Sequence, residues 1–205
     1  MFKIAVLISG GGTNLQSIID NIDKGYLKNC SIEMVISDRI GAYGLERAKK
    51  KGIKTFTLDR KIYKSQLSTK ILELVEDKVD LIVLAGYLSI LNGEILDKFK
   101  NKVINIHPSL IPSFCGKDMY GIKVHERALE YGVKVSGCTV HFVDEGTDTG
   151  AIIIQKTVPV KSQDTAKMLQ DRILLKEHIA LSEAIKLISE NKIMVRERKV
   201  YISED

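Results

Sequence analysis

The amino-acid sequence predicts an α/β protein with a doubly wound, mostly parallel sheet, followed by an antiparallel excursion and a long helix. Three observations lead to this fold class. Continuous apolar runs of strand length recur in the first half of the chain, helix-like segments alternate with them, and the pattern changes after residue 132. Runs that are apolar throughout are typical of parallel strands covered on both faces. A chain of 205 residues can bury one sizeable core, so we expect a single domain over residues 1–205.

The first half supplies the elements of the parallel sheet. The apolar runs lie at residues 4–8, 32–36, 79–85 and 103–106, and the helix-like stretches lie at residues 14–24, 43–51, 65–77 and 92–99. In the third of these stretches, the apolar residues fall at helical spacing; they are Leu67, Ile71, Leu74 and Val75. This alternation predicts parallel strands joined by helices.

The second half predicts a hairpin and a helix. Two β-rich runs, 133–144 and 151–160, flank the turn-prone stretch EGTDTG, which favours antiparallel pairing. Residues 164–190 follow one helical pattern, and their apolar stripe indicates core packing. The stripe consists of Ala166, Leu169, Ile173, Ala180, Ala184 and Leu187.

The charge balance is modest. The 31 basic and 26 acidic residues give a formal net charge of +5, spread along the chain. This charge suits an anionic small molecule as well as nucleic acid, because no dense Lys/Arg stripe marks a polyanion footprint. We interpret the most basic stretch, residues 194–199, as a solvated surface segment. The sequence pI near 9.0 leaves RNA binding as an alternative, but the aromatic residues are few and not interleaved with basic ones.

The cysteines and the N-terminus predict a reduced, cytoplasmic protein. Cys30, Cys115 and Cys138 are odd in number, lie far apart and lack metal-ligand spacing, so we expect no disulfide framework and no metal site. The first apolar run spans only about seven residues, which is too short for a signal or transmembrane segment. We interpret it as the first strand.

A glycine loop follows that first strand and opens a helix. Gly10, Gly11 and Gly12 let the backbone turn sharply and approach a ligand, and a helix N-terminus offers unpaired N–H groups to an anion. A phosphate fits such a loop. The alternative is an ordinary tight turn in which Thr13 or Asn14 is the N-cap.

A dinucleotide site fits this loop less well. Gly10 and Gly12 have the right spacing and Asp38 follows the second apolar run, but Leu15 occupies the position of the third glycine. The loop also lacks the Gly-Lys-Ser/Thr ending of a P-loop. A monophosphate therefore fits this loop better than the pyrophosphate of a dinucleotide.

The stretch VINIHPSLIP places two polar side chains at the end of a buried strand. Asn105 and His107 are two residues apart, so in extended geometry their side chains face the same side. Pro108 restricts His107 to extended conformations. Since ligands of parallel α/β sheets bind at the carboxyl ends of strands, the pair is a candidate site. The alternative is a strand-end Asn that forms a turn and a His that caps a carbonyl.

Other polar residues allow simpler interpretations. His125 lies at a polar helix position, His178 in the long helix and His141 in a β-run, where most histidines are merely partnered. Asp144, Glu145 and Asp148 crowd HFVDEGTDTG, and a turn by itself explains them.

Taken together, four stretches resemble the folate-dependent formyltransferases. They are ISGGGTNLQSIID at the start, LAGYLSIL at 84–91, NIHPSLIP at 105–112 and HFVDEGTDTGAIIIQ at 141–155, and the likeness runs from Lys3 to about Ile188. The resemblance implies a Rossmann-like formyltransferase fold, and order and spacing match the members that formylate glycinamide ribonucleotide. Relatives that act on tRNA or hydrolyse formyltetrahydrofolate carry an extra domain, for which we expect no room.

The resemblance implies roles for the strand-end pair and the glycine loop. Gly12, Thr13 and Asn14 would hold the 5′-phosphate of glycinamide ribonucleotide, whose amine attacks the formyl carbon of 10-formyltetrahydrofolate. Asn105 would hydrogen-bond the oxyanion. His107 would protonate the departing folate nitrogen, and Asp148 would favour the imidazolium, so we expect the pKa of His107 to lie above its ordinary value.

The resemblance also implies binding residues. Leu88, Ser89, Ile90 and Leu91 would contact the pterin through their backbone, with Asn105 and Asp144 also at the folate, and Glu177 would lie near the amine of the substrate. Ser89 stands where relatives often have Arg, so no contribution from that Arg is assumed. The basic residue that contacts folate in relatives has no clean match here: Arg60 and Lys64 are both nearby, and the contact is left unassigned. The lid at residues 114–120 departs from the usual proline-rich version.

The competing interpretation is a non-catalytic nucleotide-binding or regulatory module. Such a module would use the glycine loop and would leave Asn105, His107 and Asp148 without a joint role. For the enzyme we expect small-molecule substrates, neither nucleic acid nor membrane as partner, and a monomer or homodimer.

Overall fold

A computed structural model describes residues 1–203 of the chain. The chain forms two compact units, the first spanning Met1–Asn105 and the second beginning at Ile106. Its strands make a seven-stranded sheet in the order β3-β2-β1-β4-β5-β6-β7 and a separate two-stranded sheet, β8-β9.

The first unit holds the parallel strands. They are β1 (Phe2–Ile8), β2 (Cys30–Ser37), β3 (Lys54–Thr57), β4 (Leu81–Leu84) and the start of β5 (Val103–His107). Four parallel pairings join them: β1 with β2, β1 with β4, β2 with β3 and β4 with β5. β1 and β4 are buried almost completely, as expected for strands covered on both faces.

Five helices of the first unit connect these strands. They are α1 (Thr13–Asp23), α2 (Tyr43–Lys50), α3 (Arg60–Tyr63), α4 (Leu67–Val75) and α5 (Glu94–Lys98), with a short 3₁₀ turn at Lys64–Gln66. α4 buries Leu67, Ile71 and Val75, so its sequence periodicity corresponds to a real buried face.

The second unit combines a hairpin with helices. Its elements are α6 (Ile122–Tyr131), β6 (Val135–Phe142), β7 (Ile152–Pro159), α7 (Ala166–Ser189), β8 (Ile193–Arg196) and β9 (Lys199–Ile202). β6 and β7 pair antiparallel, with Val140 opposite Ile154. α7 packs on this hairpin. Its N-cap is Thr165, whose hydroxyl accepts a hydrogen bond from the Met168 N–H at 3.2 Å.

The predicted fold class is confirmed. The parallel strands, the antiparallel hairpin and the long helix lie where the sequence indicated, within a few residues at each end. The strand β3, the helix α3 and the β8-β9 pair were not predicted. The basic stretch 194–199 is largely exposed, as expected, but it also supplies half of the strand residues of that pair and the turn between the strands. The single-domain organisation stays a prediction.

Over residues 1–203, no helix combines the length and the hydropathy needed to cross a membrane.

Candidate active site

The glycine loop ends at the N-cap of α1. Gly12 is that N-cap and has a left-handed backbone (φ 69°, ψ 36°), and its carbonyl accepts the first helical hydrogen bond from the Gln16 N–H at 2.9 Å. The alternative that Thr13 or Asn14 is the N-cap is wrong, because both residues lie inside the helix. Gly12 has no side chain, and the first turn of α1 has no hydrogen bond from an N-cap side chain.

The segment 86–92 follows β4 in the same unit and is fixed by serines. The Leu88 N–H donates to Ser9 Oγ at 2.8 Å, and the Asn92 N–H donates to Ser68 Oγ at 3.1 Å. The Leu88 N–H is therefore committed to the protein. A backbone contact to a pterin would have to come from the remaining groups of residues 88–91.

The side chains of this segment point in different directions. Ile90 is 63% exposed and Leu88 is also exposed, whereas Leu91 is 2% exposed and belongs to the core. Only the first two could line a slot for a ligand. The Ser89 hydroxyl donates to Asp38 Oδ2 at 2.6 Å, so Ser89 is occupied inside the protein and does not replace the Arg of relatives.

Asp38 also attracts a basic residue. Arg60 Nη1 lies 3.6 Å from the Asp38 Oδ2 atom that Ser89 binds, and the Asp38 side chain is fully buried. Burial raises the pKa of the neighbouring Tyr87 hydroxyl, and the Asp38 charge adds to the rise. Of the two basic candidates, Arg60 is thus anchored beside residues 87–89, while Lys64 lies in a turn with φ 46°. The basic contact to folate stays unassigned.

His107 is the last residue of β5 and is 4% exposed. Its Nε2 lies 2.9 Å from the Phe114 carbonyl, and its Nδ1 lies 3.5 Å from Asp148 Oδ2. A carbonyl and a carboxylate can only accept hydrogen bonds, so both partners favour a ring that is protonated on both nitrogens. The other member of the predicted pair, Asn105, is half-buried on β5, and its backbone pairs with Leu84 of β4.

Asp148 lies in the loop between β6 and β7, with φ 58°. In addition to its contact with His107, its Oδ2 accepts a hydrogen bond from the Gly116 N–H at 2.9 Å, and its Oδ1 lies 3.5 Å from His141 Nε2. The second unit therefore brings the predicted His and Asp together and adds His141. Sequence reasoning had treated His141 as an ordinary partnered residue.

Burial decides the electrostatics of this pair. Burial lowers the pKa of His107, and the opposing charge of Asp148 and the Phe114 carbonyl do not restore it. The expectation of a raised pKa was therefore wrong, because it omitted desolvation. For Asp148, burial acts to raise the pKa, but the hydrogen bond from His141, the charge of His107 and the Gly116 N–H together lower it.

The segment 114–120 contacts His107 and Asp148 through its backbone. Phe114 contributes its carbonyl to His107 and Gly116 its N–H to Asp148, and the Phe114 ring makes an edge contact with Tyr131 at 5.9 Å between centroids. Phe114 and Asp118 have positive φ angles of 51° and 65°. These backbone contacts could not be found from residue types, since any residue offers a carbonyl and nearly any offers an N–H.

The remaining predicted residues have distinct environments. Asp144 is exposed, and its Oδ1 accepts from the Gly146 N–H at 3.2 Å and from Thr149 Oγ1 at 2.5 Å, so it shapes the loop that carries Asp148. Glu177 of α7 is buried near Cys138 of β6. Burial, with the charge of Glu177, raises the pKa of the Cys138 thiol to about 12. The roles of both acids in ligand binding stay predictions.

Within the described residues 1–203, His, Cys, Asp and Glu form no group of three or more that could hold a metal ion.

His125 of α6 is buried, not solvated as a polar helix position would be. It is 1% exposed, and burial followed by the charge of His107 lowers its pKa to about 4. A histidine whose folded-state pKa is depressed contributes stability above its unfolded pKa of about 6.5, and this stability is lost as the pH falls toward the folded value.

We expect the free energy of unfolding to decrease as the pH falls from 6.5 to 4. This decrease should be larger in the wild type than in His125→Gln, whose side chain cannot be protonated, by on the order of 2 kcal/mol. Urea denaturation of both proteins at several pH values measures this difference. Parallel pH profiles for the two proteins would show that His125 is not buried in its neutral form.

Comparison with known proteins places this geometry in a family. Residues 2–185 match the formyl transferase family. A solved structure of glycinamide ribonucleotide transformylase 1 from Symbiobacterium toebii is 43% identical and superposes with a TM-score of 0.93, covering 100% of this chain and 95% of that one. Phosphoribosylglycinamide formyltransferase from Haemophilus influenzae is 40% identical, with 98% of this chain and 94% of that protein aligned.

A longer relative aligns over one part of its length. The human trifunctional purine biosynthetic protein adenosine-3 is 42% identical over 95% of this chain, and the chain spans 19% of that protein. The match over residues 2–185 covers most of the chain, and the solved structure shares its fold. The chain belongs to the formyl transferase family.

Proposed function

We propose that this chain transfers the formyl group of 10-formyltetrahydrofolate to the amine of 5-phosphoribosylglycinamide, a step of de novo purine (IMP) biosynthesis. The products are formylglycinamide ribonucleotide and tetrahydrofolate. The observation that carries the proposal is the buried His107, with Asp148 3.5 Å from its Nδ1, in a chain of this family. Desolvated His-carboxylate pairs cluster at catalytic sites, which favours an enzyme over a non-catalytic binding module.

The proposed chemistry assigns one task to each of three residues. The amine nitrogen attacks the formyl carbon, and the Asn105 side-chain N–H stabilises the oxygen on which negative charge develops. The His107 imidazolium gives a proton to the departing folate nitrogen as the carbon–nitrogen bond breaks. The proton lost by the attacking nitrogen restores the imidazolium, whose charge Asp148 stabilises, so the enzyme returns to its starting state.

This role requires one change near His107. Its Nε2 proton is held by the Phe114 carbonyl, and its Nδ1 faces Asp148. A folate nitrogen can receive the proton only after one of these partners releases it. Because the Phe114 contact is a backbone contact from a loop, it is the one that substrate binding would displace.

The proposed binding residues follow the family resemblance. The position of the glycine loop at the N-terminus of α1 supports the phosphate site, and the exposed Leu88 and Ile90 support a contact with the flat pterin. The proposed substrate-binding residues are Gly12, Thr13, Asn14 and Glu177, and the proposed folate-binding residues are Leu88, Ser89, Ile90, Leu91, Asn105 and Asp144.

A direct assay tests the activity. The protein is mixed with glycinamide ribonucleotide and a 10-formyl folate, and the absorbance change on release of the reduced folate is followed over many turnovers. A ribonucleotide-dependent change is expected. Stoichiometric ligand binding with no turnover across pH and folate analogues would favour the binding-module interpretation and reject the proposal.

Replacement of Gly12 tests the phosphate site. In Gly12→Val, the new Cβ would lie 2.7 Å from the Gly44 Cα in a backbone of φ 69°. The loop must shift, so we expect the KM for the ribonucleotide to rise by about tenfold or more, since about 1.4 kcal/mol of lost binding gives a factor of ten. The KM for folate should stay within about twofold of the wild type.

Gly52→Val is the matched control. Gly52 has nearly the same backbone, φ 68°, and a Cβ added there would meet nothing within 4 Å, so the substitution reproduces the backbone strain without disturbing the loop. An equal loss of affinity for ribonucleotide and folate in Gly12→Val would point to a general folding defect and reject the loop as phosphate site.

Location and assembly complete the proposal. Within residues 1–203, Cys30, Cys115 and Cys138 form no disulfide with one another, which supports a reducing, cytoplasmic location. The proposed partners are small molecules, and the chain works as a monomer or homodimer.

A further inference from the structure

Two carbonyl groups of the glycine loop are hydrogen-bonded to α2. The Gly44 N–H donates to the Gly10 carbonyl at 3.0 Å, and the Arg47 Nε–H donates to the Gly11 carbonyl at 2.8 Å. The packing is tight, since a Cβ at Gly44 would lie 3.2 Å from the Gly12 Cα. The glycine loop is therefore held against α2 by hydrogen bonds and close packing.

These two bonds fix the direction of the loop's N–H groups. In a planar trans peptide, the carbonyl of one residue and the N–H of the next point in opposite directions. Because the Gly10 and Gly11 carbonyls point toward α2, the N–H groups of Gly11 and Gly12 point away from it. Successive N–H groups turned to one side form a concave site for an anion.

Arg47 itself is held in place on other sides. Its Nη1 donates to Gln16 Oε1 of α1 at 3.2 Å, and its guanidinium lies 5.0 Å from the centroid of the Tyr43 ring. Such a planar group, with donors in a fixed fork, can hold a carbonyl in one orientation. A flexible ammonium cannot reproduce that geometry.

We propose that Arg47 is a positioning residue for the phosphate of the substrate: through its bond to the Gly11 carbonyl it aims the Gly11 and Gly12 N–H groups at the phosphate. This inference rests on the proposed function for the identity of the phosphorylated substrate. Arg47 acts through the loop, so its loss should weaken the binding of the ribonucleotide and leave the formyl-transfer step intact.

The test compares Arg47→Met and Arg47→Lys with the control Lys50→Met, which removes one positive charge from the exposed end of the same helix. Losing a charge-assisted hydrogen bond changes an equilibrium by on the order of tenfold or more. In Arg47→Met, the KM for the ribonucleotide should rise by about that factor, while kcat and the KM for folate stay within about twofold. Lys50→Met should match the wild type.

A second measurement does not depend on turnover. In protein labelled with ¹⁵N-glycine, inorganic phosphate should shift the Gly11 and Gly12 amide signals of the wild type, and in both Arg47 variants these shifts should require about tenfold more phosphate. Absence of formyl transfer in the wild type would reject the proposed function, but the phosphate titration would still test Arg47.

Three results would overturn the inference. The first is an unchanged KM for the ribonucleotide and an unchanged phosphate titration in Arg47→Met. The second is wild-type behaviour of Arg47→Lys, which would show that the positive charge alone is sufficient. The third is an equal effect of Lys50→Met. If Arg47→Met does not fold, Arg47→Lys carries the same test, because the positioning role requires it to remain impaired.

Discussion

Replacing Asp148 with Asn is expected to lower kcat by about 10²- to 10⁴-fold, the usual contribution of a positioned acid or base. The change keeps the shape of the side chain and removes the charge that lies 3.5 Å from His107 Nδ1. Without that charge, desolvation of the buried ring is no longer opposed by a carboxylate. The imidazolium that is proposed to protonate the folate nitrogen becomes harder to form.

The same substitution has a defined effect on the pH profile. Burial already lowers the pKa of His107, and Asp148 acts in the raising direction. Asp148→Asn should therefore lower this pKa further. Since an acid is present only below its pKa, the pH above which kcat declines should move to a lower value. The NMR titration of the His107 imidazole and the kcat profile should shift together.

Asp144→Asn is the matched control in the same loop. Asp144 is exposed and only accepts hydrogen bonds from Gly146 and Thr149, so its replacement should reduce kcat much less and leave the titration of His107 in place. If Asp144→Asn is the more damaging change, and Asp148→Asn leaves the His107 titration unaltered, Asp148 is not the supporting carboxylate.

Periodicity was sufficient for the elements with strong apolar patterns. The runs at 4–8 and 79–85 became β1 and β4, which are buried on both faces, so nearly every residue carried the signal. β3 consists of Lys54, Thr55, Phe56 and Thr57, and it lies at the edge of the sheet, where partial exposure removes the apolar signal. Short edge strands such as β8 and β9 are lost for the same reason.

Only the side chains of the candidate site could be predicted from the sequence, and its backbone contacts could not. Asn105 and His107 came from the strand-end pattern and Asp148 from the family resemblance. Asp148 Oδ2 lies 3.5 Å from His107 Nδ1, and the roles of the three residues stay predictions. The Phe114 carbonyl, the Gly116 N–H and the Arg47-Gly11 bond are backbone contacts set by loop geometry, which residue types do not encode. The pKa of His107 was predicted in the wrong direction because burial depends on the whole unit and not on one partner.

Asn105 provides the second large effect, and Asn105→Ala is expected to lower kcat by about 10²- to 10³-fold, as the loss of one oxyanion donor typically does. The backbone of Asn105 pairs with Leu84 in the sheet, and alanine preserves that pairing. The side chain is half-buried, so truncation should cost little stability. The KM for the ribonucleotide should therefore stay within about threefold, because an oxyanion donor stabilises charge that exists only during the reaction.

Two further variants separate the donor from the volume of the side chain. Asn105→Asp has nearly the same shape but replaces the N–H donor with a negatively charged acceptor, so its kcat should fall at least as far as that of Asn105→Ala. Asn29→Ala, at an exposed position far along the chain, should match the wild type. Steady-state rates at saturating substrates measure all three. If kcat of Asn105→Ala lies within about threefold of the wild type, far less than the loss expected for an oxyanion donor, Asn105 has no part in the mechanism. If Asn105→Asp is faster than Asn105→Ala, the position needs side-chain volume and not a hydrogen-bond donor.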